Sequence, residues 1–221
     1  MSIDIFTVFK PLWEQLWWLL PLLVLAAWLQ SPRCKGWLGE WLIKTKAHRK
    51  LPANIYQALH DVTLPDGAGT TQIDHIFVSP YGLFVLETKN YKGWIFGTAR
   101  DAQWTQTTGC YKHRFQNPLR QNHRHTACLT ALLGIHHDLV HSVVVFTGNA
   151  RFKTPMPANV CTLGNFDQYI RSFRTVVLTG QEIQTICQAI ASARLAPGRA
   201  TNATHRQNLR KRHVAPRRHR S

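Results

Sequence analysis

The chain has 221 residues and carries 27 Lys plus Arg against 11 Asp plus Glu, a formal charge of +16. With 44% hydrophobic and 10% aromatic residues it can fill one core, which argues against a wholly disordered or fibrous chain, and its basicity points to an anionic partner. Five cysteines, odd in number and without a C-x-x-C pair, argue against a disulfide framework or a Cys-rich zinc site and predict reduced, mostly buried thiols in a cytoplasmic compartment.

Residues 1–35 read as a membrane anchor. Leu16 to Leu29 is uncharged, and between Lys10 and Arg33 the only charge is Glu14. Gln15 to Ser31 would rise about 25 Å as a helix, close to the thickness of a bilayer core. Trp13, Trp17, Trp18 and Trp28 lie towards its two ends, as interfacial aromatics do. A transmembrane helix over about residues 12–31 is therefore predicted. A cleaved signal peptide fits less well, because Asp4 and Glu14 dilute the positive end and AAWLQS has no small-x-small site. A buried amphipathic helix fits less well too, because the segment has no polar stripe. Arg33, Lys35, Lys44, Lys46, Arg49 and Lys50 follow closely, so the positive-inside rule predicts a single-pass protein of a bacterial inner membrane with its domain in the cytoplasm.

Residues 36–193 read as one α/β domain. Gly36–Lys50 has helical spacing, with apolar Trp37, Leu38, Trp41 and Leu42 on one side and cations on the other. A short apolar segment, Leu59 to Leu64, precedes the turn-rich Pro65–Gly69. Gln72–Val78 and Leu83–Lys89 follow as two strands of a hairpin looped by Ser79–Gly82. Tyr91–Gly97 starts a further strand and Trp104 ends another, with Trp94 and Trp104 expected in the core. Gln121–Leu133 is a helix with Leu129, Leu132 and Leu133 inward; Ser142–Thr147 and Thr175–Thr179 are strands; Gln181–Leu195 is a closing helix. Residues 194–221 hold nine Lys or Arg, three His and no acid, a disordered basic tail.

The hairpin carries the chemistry. If Val78 pairs with Leu83, Asp74 stands opposite Glu87, and Asp74, Glu87 and Lys89 share one face. Two carboxylates in that relation repel. Water at an exposed edge, or Lys89 itself, could offset the repulsion. However, the flanking Ile73, Ile76, Phe77, Val78, Phe84, Val85 and Leu86 make both faces apolar, where unpaired acids are costly unless a cation is bound. Oxygen ligands favour Mg²⁺ or Mn²⁺, and a basic domain with such an ion suggests phosphodiester chemistry. His75 points to the opposite face and reads as a hydrogen-bonded core histidine. The run Lys112, His113, Arg114, Arg120, His123 and Arg124 is either a solvated face or a set of phosphate contacts.

Thr71 to Gly97 (TQIDHIFVSPYGLFVLETKNYKGWIFG), preceded by Gly36-x-x-Gly39-Glu40 and followed by Trp104, Asn117-Pro118-Leu119 and Gln121, resembles the nuclease-related domain (NERD) family within the PD-(D/E)xK nuclease superfamily. The resemblance covers about residues 36–150 and implies a restriction-endonuclease-like central mixed β-sheet flanked by helices. It implies that Asp74 and Glu87 bind a Mg²⁺ or Mn²⁺ ion, that Thr88 adds its backbone carbonyl, and that Lys89 positions or activates the attacking water. Glu40 resembles the acid the superfamily often adds from its first helix, and Gln121 the glutamine that follows the Asn-Pro element.

No Walker loop, G-x-G-x-x-G or nucleophile elbow is present, which argues against motors, dinucleotide enzymes and serine hydrolases. The expectation is a membrane-anchored, metal-dependent nuclease acting on nucleic acid, DNA above RNA. The alternative is a non-catalytic nucleic-acid-binding module tethered to the membrane. Membrane lipid is the second expected partner, reached by the N-terminal helix and by the basic tail.

Overall fold

The computed structural model describes residues 14, 16–67 and 69–196. The chain divides into two units, Met1–Leu38 and Gly39–Ser221. In the first, Trp17 and Trp18 form a turn before helix α1 (Leu19–Gln30), 12 residues long and with none of them buried. It stops at Ser31, which the following proline forces into an extended conformation, and Pro32 opens helix α2 (Pro32–Lys50). Among the described residues no helix is long and apolar enough to cross a membrane. Residues 12, 13 and 15 of the span expected over 12–31 lie outside the described residues, as do residues 197–221 of the basic tail. Arg194–Ala196 are described, and the Leu195 N–H donates to the Thr63 carbonyl at 2.9 Å.

The second unit holds two mixed sheets flanked by helices. The larger has the order β1-β2-β3-β7-β9, from β1 (Gln57–Asp66), β2 (Gly69–Ser79), β3 (Gly82–Lys89), β7 (Val140–Phe146) and β9 (Val160–Thr162). Its first three strands are antiparallel neighbours, while β3–β7 and β7–β9 are parallel. The smaller sheet has the order β6-β5-β4-β8, from β4 (Gly93–Phe96), β5 (Gln103–Thr108), β6 (Tyr111–Gln116) and β8 (Ala150–Phe152). Helix α3 (Pro118–Leu133) follows β6, α4 (Phe166–Ser172) follows β9, and α5 (Gly180–Ala193) closes the fold.

The central strands are buried on both faces, as their continuous apolar runs predict. One face packs Phe77, Phe84, Leu86, Val143 and Val145 against Ile43 and Ala47 of α2 and Phe166 and Ile170 of α4. The other packs Ile76, Val78, Leu83 and Val85 against Leu129 of α3 and Ile183, Ile186 and Ile190 of α5. A third cluster joins Val144 and Phe146 of β7 to Ile95, Trp104 and Phe115 of the smaller sheet.

Several expectations are corrected. The thiols are free but not mostly buried: Cys161 is buried, Cys34, Cys128 and Cys187 are half-buried and Cys110, in the turn between β5 and β6, is exposed. The hairpin turn is Pro80-Tyr81 alone, because Ser79 and Gly82 still pair; a φ of 112° at Gly82 permits the tight two-residue loop, and the register is the expected one. The segment at Leu59–Leu64 is the middle of a ten-residue strand, and Pro65, Asp66 and Gly69 lie in strands rather than in the turn. Trp37, Leu38 and Trp41 are exposed, whereas Gly39, Ile43 and Ala47, at i, i+4 and i+8, are the buried residues of α2. Gly39 and Ala47, small residues on either side of Ile43, let the helix lie close to the sheet. Leu132 faces outward, Trp104 lies near the start of β5, and Thr175–Thr179 is not a strand: Val176 is exposed, and the segment is tied down by Val177 and Leu178 N–H donating to the Pro80 carbonyl. Trp104 is fully buried as expected, but Trp94 is 48% exposed, because β4 has one face on the core and one open.

Candidate active site

The β2–β3 ladder runs from Ser79↔Gly82 to His75↔Leu86, and one step further places Asp74 beside Glu87. The Thr88 N–H donates to Asp74 Oδ2 at 2.7 Å, which docks the Asp74 carboxylate on the peptide next to Glu87. Lys89 Nζ donates to Glu87 Oε1 at 2.6 Å and to Gln121 Oε1 at 2.9 Å. The residues implied on β2, β3 and α3 are thus brought together.

Helix α3 is built to deliver Gln121. Asn117 caps it by accepting from Leu119 N–H, Pro118 occupies the first turn, and the Asn117 amide donates to the carbonyls of Thr98, Ala99 and Asp101. Four residues on, His125 lies on the same stripe, and Leu129 follows in the core. His125 Nε2 lies 3.1 Å from Glu87 Oε2, and its Nδ1 lies 2.7 Å from the Thr71 hydroxyl. An ionised carboxylate only accepts, so Nε2 carries the proton. Glu87 is therefore gripped at both oxygens, by Lys89 and by His125. Asn122 anchors the same turn, donating to the carbonyls of Val85 and Val143.

Glu40 comes from α2. It sits next to Gly39, where a Cβ would meet Thr147 Oγ1 at 2.6 Å and Asn90 Cβ at 3.2 Å, so only glycine allows this approach. Glu40 shares a hydrogen bond with Asp61 of β1, which is paired to Lys44 at 2.7 Å. Continuing the β1–β2 register places Asp61 opposite Asp74, on the side away from Glu87. Four carboxylates therefore share the region with two lysines.

That imbalance marks the titrations. Burial raises Asp74 well above the usual carboxylate range, and the charges of Glu87 and Glu40 push it further. Glu40 is raised to about 7, by burial first and then by Asp61. Burial alone would raise Glu87 too, but Lys89 and His125 hold it below its ordinary value. Burial opposes the charge on Lys89, yet Glu87 overrides it and keeps the ammonium protonated. Asp61 is also held low: burial acts to raise it, and Lys44 prevails. On the opposite face the His60 and His75 Nδ1 atoms lie 3.0 Å apart, and burial drives His75 down to about 3, so it is a neutral, hydrogen-bonded core histidine as expected.

The donor set suits a hard divalent ion. It is all oxygen, it holds an excess of negative charge, and Asp74 is an acid that a cation would let ionise. Among the described residues the only three-donor group within 4.8 Å is the exposed His136, His137 and Asp138, so the acids do not form a closed clasp. Mg²⁺ accepts a loose set of this kind, since it takes one or two carboxylates and completes its shell with waters and phosphate oxygens.

His125, Thr71 and Asp61 were not anticipated from the sequence. His125 was legible as Gln121 plus four, and Asp61 once the β1–β2 register is counted. The cationic run divides: Lys112, His113 and Arg114 lie on β6, whereas Arg120, His123 and Arg124 lie on α3, where Arg124 pairs with Asp66.

A mixed sheet with two acids and a lysine at the end of its central hairpin, met by an acid and a glutamine from flanking helices, defines the class of PD-(D/E)xK-like nuclease folds. The chain matches the nuclease-related domain (NERD) family over residues 35–147 and belongs to it. It is also 36% identical over 169 residues to an uncharacterized protein of Bacillus anthracis, covering 74% of this chain and 79% of the relative. No solved structure matches it.

Proposed function

We propose that the protein is a metal-dependent nuclease that hydrolyses phosphodiester bonds in nucleic acid, DNA above RNA, tethered to the cytoplasmic side of a membrane by its N-terminal segment. The observation that carries the reading is the position of Lys89. Its ammonium is held by Glu87 and Gln121 beside an Asp74 carboxyl that is docked on Thr88 and short of positive charge.

Nucleases of this superfamily are usually divalent-metal dependent. Asp74 and Glu87 would hold the ion, with Glu40 and the Thr88 carbonyl as additional donors. When bound, Mg²⁺ or Mn²⁺ supplies Lewis-acid polarisation of the phosphoryl group and a water of lowered pKa. The protein's own contribution is electrostatic and positional. Lys89 presents a fixed positive charge where negative charge develops, and the low dielectric around it makes that charge worth more than in water. Gln121 and Glu87 fix its direction, so little reorganisation is needed during the reaction. His125 and Thr71 fix the rotamer of Glu87.

The tether rests on the uncharged run Leu16 to Leu29 and on its exposed side chains, among them Leu22, Leu23, Val24 and Leu25. The purified full chain, assayed on DNA and RNA with Mg²⁺, with Mn²⁺ and with EDTA, tests the activity. Cleavage that requires metal and disappears in Asp74→Ala and Lys89→Ala is the expected result. Tight binding without cleavage under every metal condition would replace this reading with that of a binding module.

A further inference from the structure

The smaller sheet has one face on the core and one open. On the open face Trp94 and Phe96 of β4 are 48% and 36% exposed, two residues apart on one strand, while Ile95 between them is fully buried. Pairing extends the face sideways. Trp94 stands opposite Thr107 and Arg151, Phe96 opposite Thr105, and these threonines opposite Lys112 and Arg114 of β6. Alternation puts Lys112, Arg114 and Arg151 on the same side as the two aromatic rings, and all three are exposed. Lys153 Nζ lies 4.6 Å above the Trp94 ring centre. None of the residues in these four strands is acidic. A groove of about 470 Å³ runs beside Phe96, Thr105 and Arg114; Asp101 at its rim is engaged, its Oδ2 accepting from the Thr98 N–H at 2.7 Å.

From this face we infer that the smaller sheet is a platform for single-stranded nucleic acid, with bases stacking on Trp94 and Phe96 and phosphates paired to Lys112, Arg114, Arg151 and Lys153. Isolated exposed aromatics are ordinary. Two of them on one strand, ringed by four cations, with Asp101 of the groove engaged by the Thr98 N–H, form a surface complementary to a polyanion with exposed ring faces. Duplex bases are already stacked and paired inside the helix, so aromatic platforms select unpaired strands. The two rings project from residues about 7 Å apart along the strand, which gives neighbouring bases of an extended chain separate seats. Trp94 follows Lys89 by five residues, a chain distance of at most about 18 Å, so one short strand reaches from platform to candidate active site. The inference names a substrate class for the nuclease reading and rests on it, yet the platform is measurable without cleavage.

The test is fluorescence anisotropy of a labelled oligothymidylate with the full chain in detergent and EDTA, across a salt series. Wild type is expected to bind this strand more tightly than a duplex of equal length. Trp94→Ala should weaken binding about tenfold or more, the range of one stacked base. Trp94→Phe, which retains an aromatic face, should restore most of it. Replacing Lys112 or Arg114 by Gln should lower the salt slope by roughly 0.7 for each charge removed. Trp37→Ala, which removes an exposed tryptophan elsewhere, should change nothing. Unchanged affinity in Trp94→Ala and Phe96→Ala, in samples with wild-type circular dichroism, overturns the platform. So does equal loss on single strand and duplex, which leaves only phosphate contact. Trp94-dependent binding confined to anionic phospholipid vesicles overturns it in favour of a membrane surface. Loss of cleavage in Asp74→Ala with intact oligothymidylate binding separates the two readings, because the catalytic one is then tested on its own residues.

Discussion

Asp61 and Asp74 stand opposite one another across β1 and β2, at the step where the paired residues skip from His60↔His75 to Val62↔Ile73. Asp61 has a φ of 52°, the left-handed region that aspartate tolerates better than most side chains. Its carboxylate pairs with Lys44 and shares a hydrogen bond with Glu40. An acid that the sequence motifs do not include therefore adds to burial in raising one that they do.

A pH dependence follows from that coupling. Glu40 is raised from 4.5 to about 7, so the folded state holds a proton that the unfolded state releases. Stability of the metal-free protein should fall as pH rises from about 4.5 to about 7, because the unfolded chain then gains more by ionising. Asp61→Asn removes the charge that adds to burial in raising Glu40, and should make this slope shallower. Thermal midpoints recorded over that pH window check both statements.

Metal binding should take the opposite course. Asp74 and Glu40 must ionise before they can hold a cation, so Mn²⁺ affinity should increase with pH up to about 7 and binding should release protons. Titration calorimetry in two buffers of different ionisation enthalpy measures the protons released. Identical apparent heats in both buffers would count against Glu40 as a ligand.

Asp74→Asn should abolish cleavage and yet stabilise the metal-free protein. The substitution removes a buried acid crowded by Glu87 and Glu40 while retaining an acceptor for the Thr88 N–H. A gain of about 1 kcal/mol, or roughly 2–4 °C, is the expected scale. Differential scanning calorimetry in EDTA reads it directly.

Lys89→Met and Gln121→Ala should differ in size. Losing the ammonium removes the charge itself and should reduce the cleavage rate by about 10²-fold or more. Losing Gln121 leaves the Glu87 contact in place and should have a smaller effect. Single-turnover cleavage at saturating metal separates the two.

His125→Ala should weaken Mn²⁺ binding by about 10–100-fold, the usual effect of removing the partner that orients a metal-ligating carboxylate. Asn in its place, able to donate from a shorter side chain, should recover part of the loss. A structural role alone would lower the thermal midpoint in EDTA without altering metal affinity.

Much of the site could be read along the chain. Asp74, Glu87 and Lys89 lie within sixteen residues, joined by a hairpin whose register follows from period-two alternation. The Asn117-Pro118 element announces the helix that carries Gln121. Glu40 was reached by the family pattern alone, and only the close approach at Gly39 explains how α2 brings it near. His125 was missed because it meets Glu87 from 38 residues away, and Asp61 because β1 reads in the sequence only as a short apolar segment, with no register to count along.

By itself, the sequence determined the strongest local periodicities: the hairpin of β2 and β3, the helices that carry Glu40 and Gln121, which side chains share a face of that hairpin, and how the charge divides along the chain. Tertiary structure decided whatever depends on which face is covered. Trp94 and Trp104 have similarly apolar neighbours, yet Trp104 is sealed against Phe146 and Trp94 lies open beneath Lys153. Trp37, Leu38 and Trp41 form a helical stripe as regular as Gly39, Ile43 and Ala47, yet the sheet covers the smaller residues, since they permit the closer packing. Periodicity names the two faces of an element, but only its neighbours in space choose which one is buried.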